Sequence, residues 1–444
     1  MKNKQKDILV RFLVFFLPVI CIYFTYFDYR YYGYFVILYF ILKDIYNFDI
    51  FINTKHKNFY LFFPLIFYLS RFSYAISPKF NTLLKNISQS VYFENARFLD
   101  MQHLFLELYC NSKNSDITYV YKFDSRWTNS CPHNNYWGPL SKYISITNSD
   151  IWLLTVITSF VALMFVYLIY FKTFRSYSKN LDLLFFISIS PPLNFLIDRM
   201  NVDVIIYILC FWILKSSKFF YFRMIILVLL ALYKLHPTFL IVGFLIYHLL
   251  IKKDKRKSLF LFFCLFFCGT VTLLYYFNND FYTARPIESS RSFGMLSDAA
   301  SVGSLFNISF ATSYILICIF LIVLIFVLKK NTPKTVIFKS EYIFVINIWF
   351  LGVSLYANYD YRIPLLYFSI FYLLELKIRL LNFSLIMFIF LSPPPSLVAD
   401  PLYNSVFPQN YYYYLDISFY IIMSYLVLIS FNTIINKNNY QKVS

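Results

Sequence analysis

A chain of 444 residues that is 59% hydrophobic and only 14% charged leaves no room for a sizeable soluble domain. Its mean hydropathy of +0.60 fits apolar runs of helix-spanning length laid almost end to end. The net charge of +18 sits largely in short links such as Lys-Lys-Asp-Lys-Arg-Lys at 252–257. It therefore reads as charge anchoring topology at a membrane surface, and no nucleic-acid partner is expected.

The links sort by charge. Alternate links hold about two thirds of the 40 Lys and Arg but only about a third of the 22 Asp and Glu. The positive-inside rule then predicts an all-α, polytopic transmembrane bundle in a plasma (inner) membrane, with both termini cytoplasmic and about 12–14 spans. The aromatic content of 23% exceeds what interface belts need, and it keeps company with Lys, Asn and Ile. It is read as a codon-driven bias in which single Phe and Tyr residues carry little information.

In chain order, spans are expected at 8–27, 32–51 and 59–76, followed by a long outer loop at 77–149. Further spans follow at 150–170, 181–190 (stopped by Pro191 and Pro192) and 202–214. Residues 224–235 and 238–251 form a pair broken at Pro237, as two half-length spans would be. The remainder are 259–277, 308–328, 342–356, 365–376, 380–391 and 417–431, with outer loops at 278–307 and 392–416. The whole chain, 1–444, reads as one integral-membrane domain. Cys110 and Cys131 share the long outer loop, where a disulfide is permitted if that compartment is oxidising.

Within that loop, 91–109 is amphipathic at helical spacing. Phe98, Met101, Phe105 and Leu108 fall on one face, and Glu94, Arg97, Asp100, His103 and Glu107 on the other. An interfacial helix on the outer membrane surface is expected, with Asp100 and His103 side by side. No P-loop, Gly-x-Ser-x-Gly, His-Glu-x-x-His or Cys-x-x-Cys pattern occurs, and seven glycines cannot build a Gly-rich phosphate cradle.

Ionisable residues instead gather at the outer ends of spans, in four clusters. Asp100 with His103 is the first. Asp198, Arg199, Asn201 and Asp203 follow Ser190-Pro-Pro192, and an Arg199–Asp203 pairing along one helical face is the plain structural alternative there. Lys234-Leu-His236-Pro237 ends an apolar helix, where a lysine more often snorkels to the interface than performs chemistry. Asn358-Tyr-Asp360-Tyr-Arg362-Ile-Pro364 occupies a short outer link. Cations on a side poor in Lys and Arg suit a phosphate whose lipid tail lies in the bilayer, with Arg binding it bidentately and Lys as a point charge. A carboxylate such as Asp100 could then deprotonate an attacking hydroxyl.

In the order of these blocks the chain resembles the GT-C superfamily of integral-membrane glycosyltransferases, especially bacterial polyprenyl-phosphate-mannose-dependent mannosyltransferases. The resemblance covers about residues 90–370. It lies in Asp100 in the first long outer loop, Tyr136-Trp-Gly-Pro-Leu140, Ser190-Pro-Pro192 before Arg199-Met-Asn-Val-Asp203, Lys234-Leu-His-Pro237, and Tyr359-Asp-Tyr-Arg362. It implies a GT-C-like bundle and a hexose donor linked to polyprenyl phosphate. It also implies a glycan or glycolipid acceptor, transfer on the outer face, and inversion at the anomeric carbon. Asp100 becomes the catalytic base, and His103 beside it is counted with it as catalytic. Tyr136, Arg199, Asn201, Asp203, Lys234, His236, Asp360 and Arg362 become substrate-binding residues. Asp116 and Asp124 are alternatives for the base. No cofactor is expected; a divalent metal is left open, because His103, His133 and Asp100 show no ligand spacing.

Two other classes fit the same sequence. A polymerase or ligase acting on undecaprenyl-pyrophosphate glycans would use Arg285 and Arg291. A transporter of lipid-linked glycans would line a central aqueous path with its charges.

Overall fold

The computed structural model describes residues 32–46, 54–76, 119–121, 124–129, 150–176, 181–190, 203–216, 218–277, 292–332, 341–355, 358–359, 378–391 and 411–435. It also describes single positions at 17, 20, 98, 101–102, 104–106, 108–109, 145, 193, 197, 200, 370, 373–374 and 376.

The described chain is helical apart from two small antiparallel ribbons. Its helices are α1 (Tyr32–Tyr46), α2 (Thr54–Ile76), α3 (Ile151–Ser176), α4 (Leu181–Ser188), α5 (Asp203–Lys215), α6 (Phe220–Tyr233) and α7 (Thr238–Ile246). A π-helical turn, Tyr247–Lys252, continues α7. Then come α8 (Lys255–Phe277), α9 (Met295–Phe306), α10 (Phe310–Lys329), α11 (Glu341–Ser354), α12 (Arg379–Leu391) and α13 (Tyr411–Ile435). One ribbon joins β1 (Tyr119–Tyr121) to β2 (Asp124–Asn129); the other joins β3 (Ser292–Phe293) to β4 (Asn358–Tyr359).

Among the described residues, four helices are long and apolar enough to cross a membrane, and five apolar helices are shorter. Only 17% of the apolar windows of α8 and α10 is buried within the protein, against 67% of the window in α13. Leu, Ile and Phe side chains of α8 and α10 therefore face outward, which hydrocarbon tolerates and water does not. The pair α6 and α7 is too short to span singly: 14 residues of helix reach about 21 Å.

Helix ends follow local chemistry. Asp254 starts α8 by accepting from the Lys257 N–H at 3.1 Å, and Ser309 starts α10 by accepting from the Thr312 N–H at 3.1 Å. Asp203 opens α5 and Lys215 closes it, each sign matched to the helix dipole.

Short α4 leaves its last carbonyls without helical partners in an apolar interior. Tyrosine hydroxyls from other helices meet them. Tyr32 donates to Phe186 O at 2.6 Å, and Tyr68 to Ser188 O at 2.5 Å. Tyr170 likewise donates to Tyr60 O at 2.9 Å, locking α3 to α2. These tyrosines are structural fasteners, so composition bias is not their whole meaning.

Side-chain contacts sort the helix ends into two sets. At one end Lys43 of α1 pairs with buried Asp182 of α4, which Tyr39 also donates to at 3.3 Å. At the same end Arg223 of α6 donates to Ile213 O of α5 at 2.5 Å. Lys215 stands 5.0 Å from the Tyr342 ring, and His248 Nε2 lies 2.8 Å from Glu341 Oε1. This is the end that carries residues 252–257. The opposite end holds the start of α5, the link from α6 to α7, and the β3–β4 ribbon.

The structure adds to the sequence reading in three places. Within 91–109 the five residues of the expected polar face lie outside the described ones. Gln102, Leu104 and Leu106 are buried along with Phe98, Met101 and Leu108. Phe98 packs against Phe72 of α2 and Trp152 of α3, and Leu106 against Ile151. These contacts seat the described side chains against the ends of α2 and α3. Next, the loop at 278–307 contains α9. Last, the long loop contains the β1–β2 ribbon, in which Tyr121 faces Asp124.

α7 and α11 approach closely through glycines. A Cβ on Gly352 would stand 2.0 Å from the Phe239 ring, and one on Gly243 3.0 Å from Val345 O. A Cβ on Gly269 of α8 would meet nothing within 4 Å. Gly352→Ala should therefore cost about 1–3 kcal/mol through overpacking, seen as a lower midpoint of thermal unfolding in detergent. Gly269→Ala should leave that midpoint unchanged or raise it slightly, since alanine favours a helix interior over glycine.

Candidate functional site

Three of the residues singled out in the sequence come together at the end opposite 252–257. Asp203 begins α5 with its side chain fully buried. Lys234 follows the last residue of α6 in an extended conformation, its N–H still bonded to Leu230 O at 2.8 Å. Pro237 then starts α7 at φ −60°, and the turn between is closed by Thr238 N–H to Leu235 O at 3.0 Å. Proline here is doubly useful: it cannot extend α6, and its fixed φ suits a helix start.

That turn aims two basic side chains at one carboxylate. Lys234 Nζ lies 2.6 Å from Asp203 Oδ1, and His236 Nε2 lies 4.0 Å from the same oxygen. Lys234 and His236 are about a tenth exposed. The dipoles help both charges, since Asp203 sits at a positive helix end and Lys234 at a negative one. The lysine does not snorkel outward; it turns inward to a buried acid.

This arrangement modifies what Lys234 can do. Its charge is already shared with Asp203, so an arriving phosphate would meet a lysine held in place and partly neutralised. Net attraction for an anion would have to come from Lys234 together with a further cation. Arg199 is the nearest in sequence, just before Met200. Met200 has φ 44°, and its N–H bonds Ile197 O at 3.1 Å, so a left-handed turn separates Arg199 from Asn201.

Asp100, His103, Tyr136, Arg199, Asn201, Asp360 and Arg362 lie outside the described residues, as do Asp116, His133 and the Cys110–Cys131 pair. The pairing of Arg199 with Asp203 lies outside them too. Asp124 is described only as the first residue of β2. Among the described residues no three His, Cys, Asp or Glu side chains converge as a metal site would require.

One group went unnoticed in the sequence. Asp298, in the first turn of α9, is buried and accepts a hydrogen bond from Tyr420 Oη of α13 at 2.5 Å. Burial pushes its carboxyl up to about 7, against the opposing pull of that hydrogen bond. β3 lies a few residues before it and pairs Phe293 with Asn358 and Ser292 with Tyr359. The start of α9 is thus tied directly to the Tyr359-Asp-Tyr-Arg362 block. The signal in sequence was faint: one acid among small residues in a presumed loop.

Comparison of the chain with protein-family models, with curated proteins and with solved structures finds no match.

Removing one partner of the buried pair leaves an uncompensated charge. Asp203→Asn or Lys234→Met should each cost about 3–5 kcal/mol of stability. The double variant should recover part of that loss. Thermal unfolding of the four proteins in one detergent measures the cycle; additive losses would mean the two side chains do not interact.

Proposed function

We propose that the chain is a multi-pass membrane glycosyltransferase. It moves a hexose, mannose-like, from a polyprenyl-phosphate donor to a glycan or glycolipid acceptor on the outer face of a plasma membrane. The observation that carries the reading is the contact of Asp203 with Lys234. It joins the two blocks, Arg199-Met-Asn-Val-Asp203 and Lys234-Leu-His-Pro237, whose order is the most specific part of the GT-C resemblance. Two blocks that share a role should share a place, and these two do.

In the proposed reaction, Asp100 takes the proton of an acceptor hydroxyl as its oxygen attacks the anomeric carbon. The bond from that carbon to the donor phosphate oxygen breaks, and polyprenyl phosphate leaves with the electron pair. Arg199 and Arg362 receive the developing charge bidentately, with Lys234 adding a point charge. Asp203 acts through Lys234: it holds the ammonium at the helix end so that no reorganisation is needed when charge develops. His103 stands beside Asp100 to tune and orient it, and Tyr136, Asn201, His236 and Asp360 contact donor or acceptor. Residues 252–257 face the cytoplasm in this reading, and the outward faces of α8 and α10 meet lipid.

A second reading, a polymerase or ligase for undecaprenyl-pyrophosphate glycans, draws support from one observation. The β3–β4 ribbon sets Ser292, next to Arg291, opposite Tyr359.

Asp100→Asn should abolish transfer from a polyprenyl-phosphate hexose while leaving expression and membrane insertion at the level of the unaltered protein. Asp116→Asn and Asp124→Asn should retain transfer. Radiolabelled sugar transfer in membranes reads all three, and full activity in the Asp100 variant removes that residue from the mechanism. Monosaccharyl and oligosaccharyl donors offered in parallel separate the two readings. Turnover of the oligosaccharyl donor alone would favour the second.

A further inference from the structure

The described structure buries three carboxylates in its helix ends, and two of them face a lysine. Asp182 has Lys43, and Asp203 has Lys234. Asp298 is different. Its partner is the Tyr420 hydroxyl, and no cation faces it among the described residues. Among the described residues, the titratable groups around the pair are Tyr420 and Asp416 of α13 and Cys318 of α10, none of them positive. Burial in such company favours the neutral acid, against the pull of the Tyr420 hydrogen bond.

Its position in the chain gives that proton a mechanical consequence. The Asp298 N–H bonds Gly294 O at 3.0 Å and so closes the first turn of α9. Gly294 adopts φ 116°, a value open to glycine alone at little cost, and turns the chain straight out of β3. β3 pairs with β4, and β4 runs directly into Asp360 and Arg362. A continuous path therefore leads from Tyr420 through Asp298, α9 and the ribbon to the last of the motif blocks.

We propose that Asp298, docked on Tyr420, is a positioning residue that sets where β4 stands, and with it Tyr359, the first residue of the last motif block. With the proton on, the start of α9 stays seated against α13 and the ribbon is held. With the proton off, a carboxylate held by a single hydroxyl in an otherwise apolar seat loosens the start of α9 from α13. That Arg362 then meets a donor phosphate rests on the function proposed above; the docking does not.

The sign of the pH effect follows from the direction of the shift. The folded protein holds this proton more tightly than the unfolded chain does, so the contribution to stability is full below the ordinary carboxylate value. It is lost as pH rises from there to about 7, and is constant above.

The test uses the full-length protein in lipid nanodiscs. The thermal midpoint of the unaltered protein should fall between pH 5 and pH 8. Asp298→Asn, whose amide oxygen still accepts from Tyr420 but cannot ionise, should show a clearly smaller fall. Tyr420→Phe removes the hydrogen bond that favours the carboxylate, and should extend the loss to higher pH. A second readout reports the ribbon itself. In a background without the seven native cysteines, Ser292→Cys with Tyr359→Cys should cross-link severalfold faster at pH 8 when Asp298→Asn is also present.

Identical pH profiles and cross-linking rates with and without Asp298→Asn overturn the proposal, as a pairing of Asp298 with an arginine of the outer loops would produce. Sugar transfer is measured on the same samples. Absent transfer in every protein, with the two physical readouts as expected, supports the docking and counts against the glycosyltransferase reading instead.

Discussion

A lysine that turns inward to a buried acid, where it could have reached water, constrains everything around it. Lys234 and Asp203 are 31 residues apart, at the end of α6 and the start of α5, and their contact fixes the order in which those helices return to one face. Asp203 is fully buried and Lys234 nearly so, so neither helix end can shift without leaving a buried ion uncompensated. Pro237 makes the constraint sharper by ending the freedom of the turn three residues later. Lys234 is therefore held at a helix end whose movement would break this pair.

The same logic operates at the other end with different chemistry. Lys43 and Asp182 pair there, and tyrosine hydroxyls along α4 take up carbonyls that a helix of eight residues cannot satisfy itself. Between these polar ends the interior is aliphatic and aromatic, built as two adjoining packed regions around α4 and around α11. Glycines at Gly243 and Gly352 let α7 and α11 come close enough to share that second region. Polar pairing at the ends and close packing in the middle are the two halves of one design.

Much of this was legible in the sequence because charge and hydropathy are one-dimensional signals. The start of α4 at Leu181, the break at Pro237 and the run of α8 up to Phe277 could all be read from where apolar residues stop. The meeting of Asp203 with Lys234 was legible only as a shared outer end, since pairing partners depend on which helices neighbour one another. α9 escaped notice because Ala, Ser and Gly give it no apolar run to detect. Asp298 escaped with it, as an acid matters here through its burial against Tyr420, more than a hundred residues away. Around Met101 the spacing showed the apolar residues that do become buried, but not that Gln102 and Leu106 are buried with them, because that depends on which helix ends lie alongside.

The central claim is that the Lys234 end and the long loop before Asp150 face one compartment, and residues 252–257 the other. Single cysteines at Ser145 and at Lys255, both exposed, test it in intact cells with a membrane-impermeant maleimide, in a background without native cysteines. Labelling of the Ser145→Cys protein before lysis, and of the Lys255→Cys protein only after it, is the predicted result. The reverse pattern would put the acid- and cation-bearing end in the cytoplasm and contradict the account.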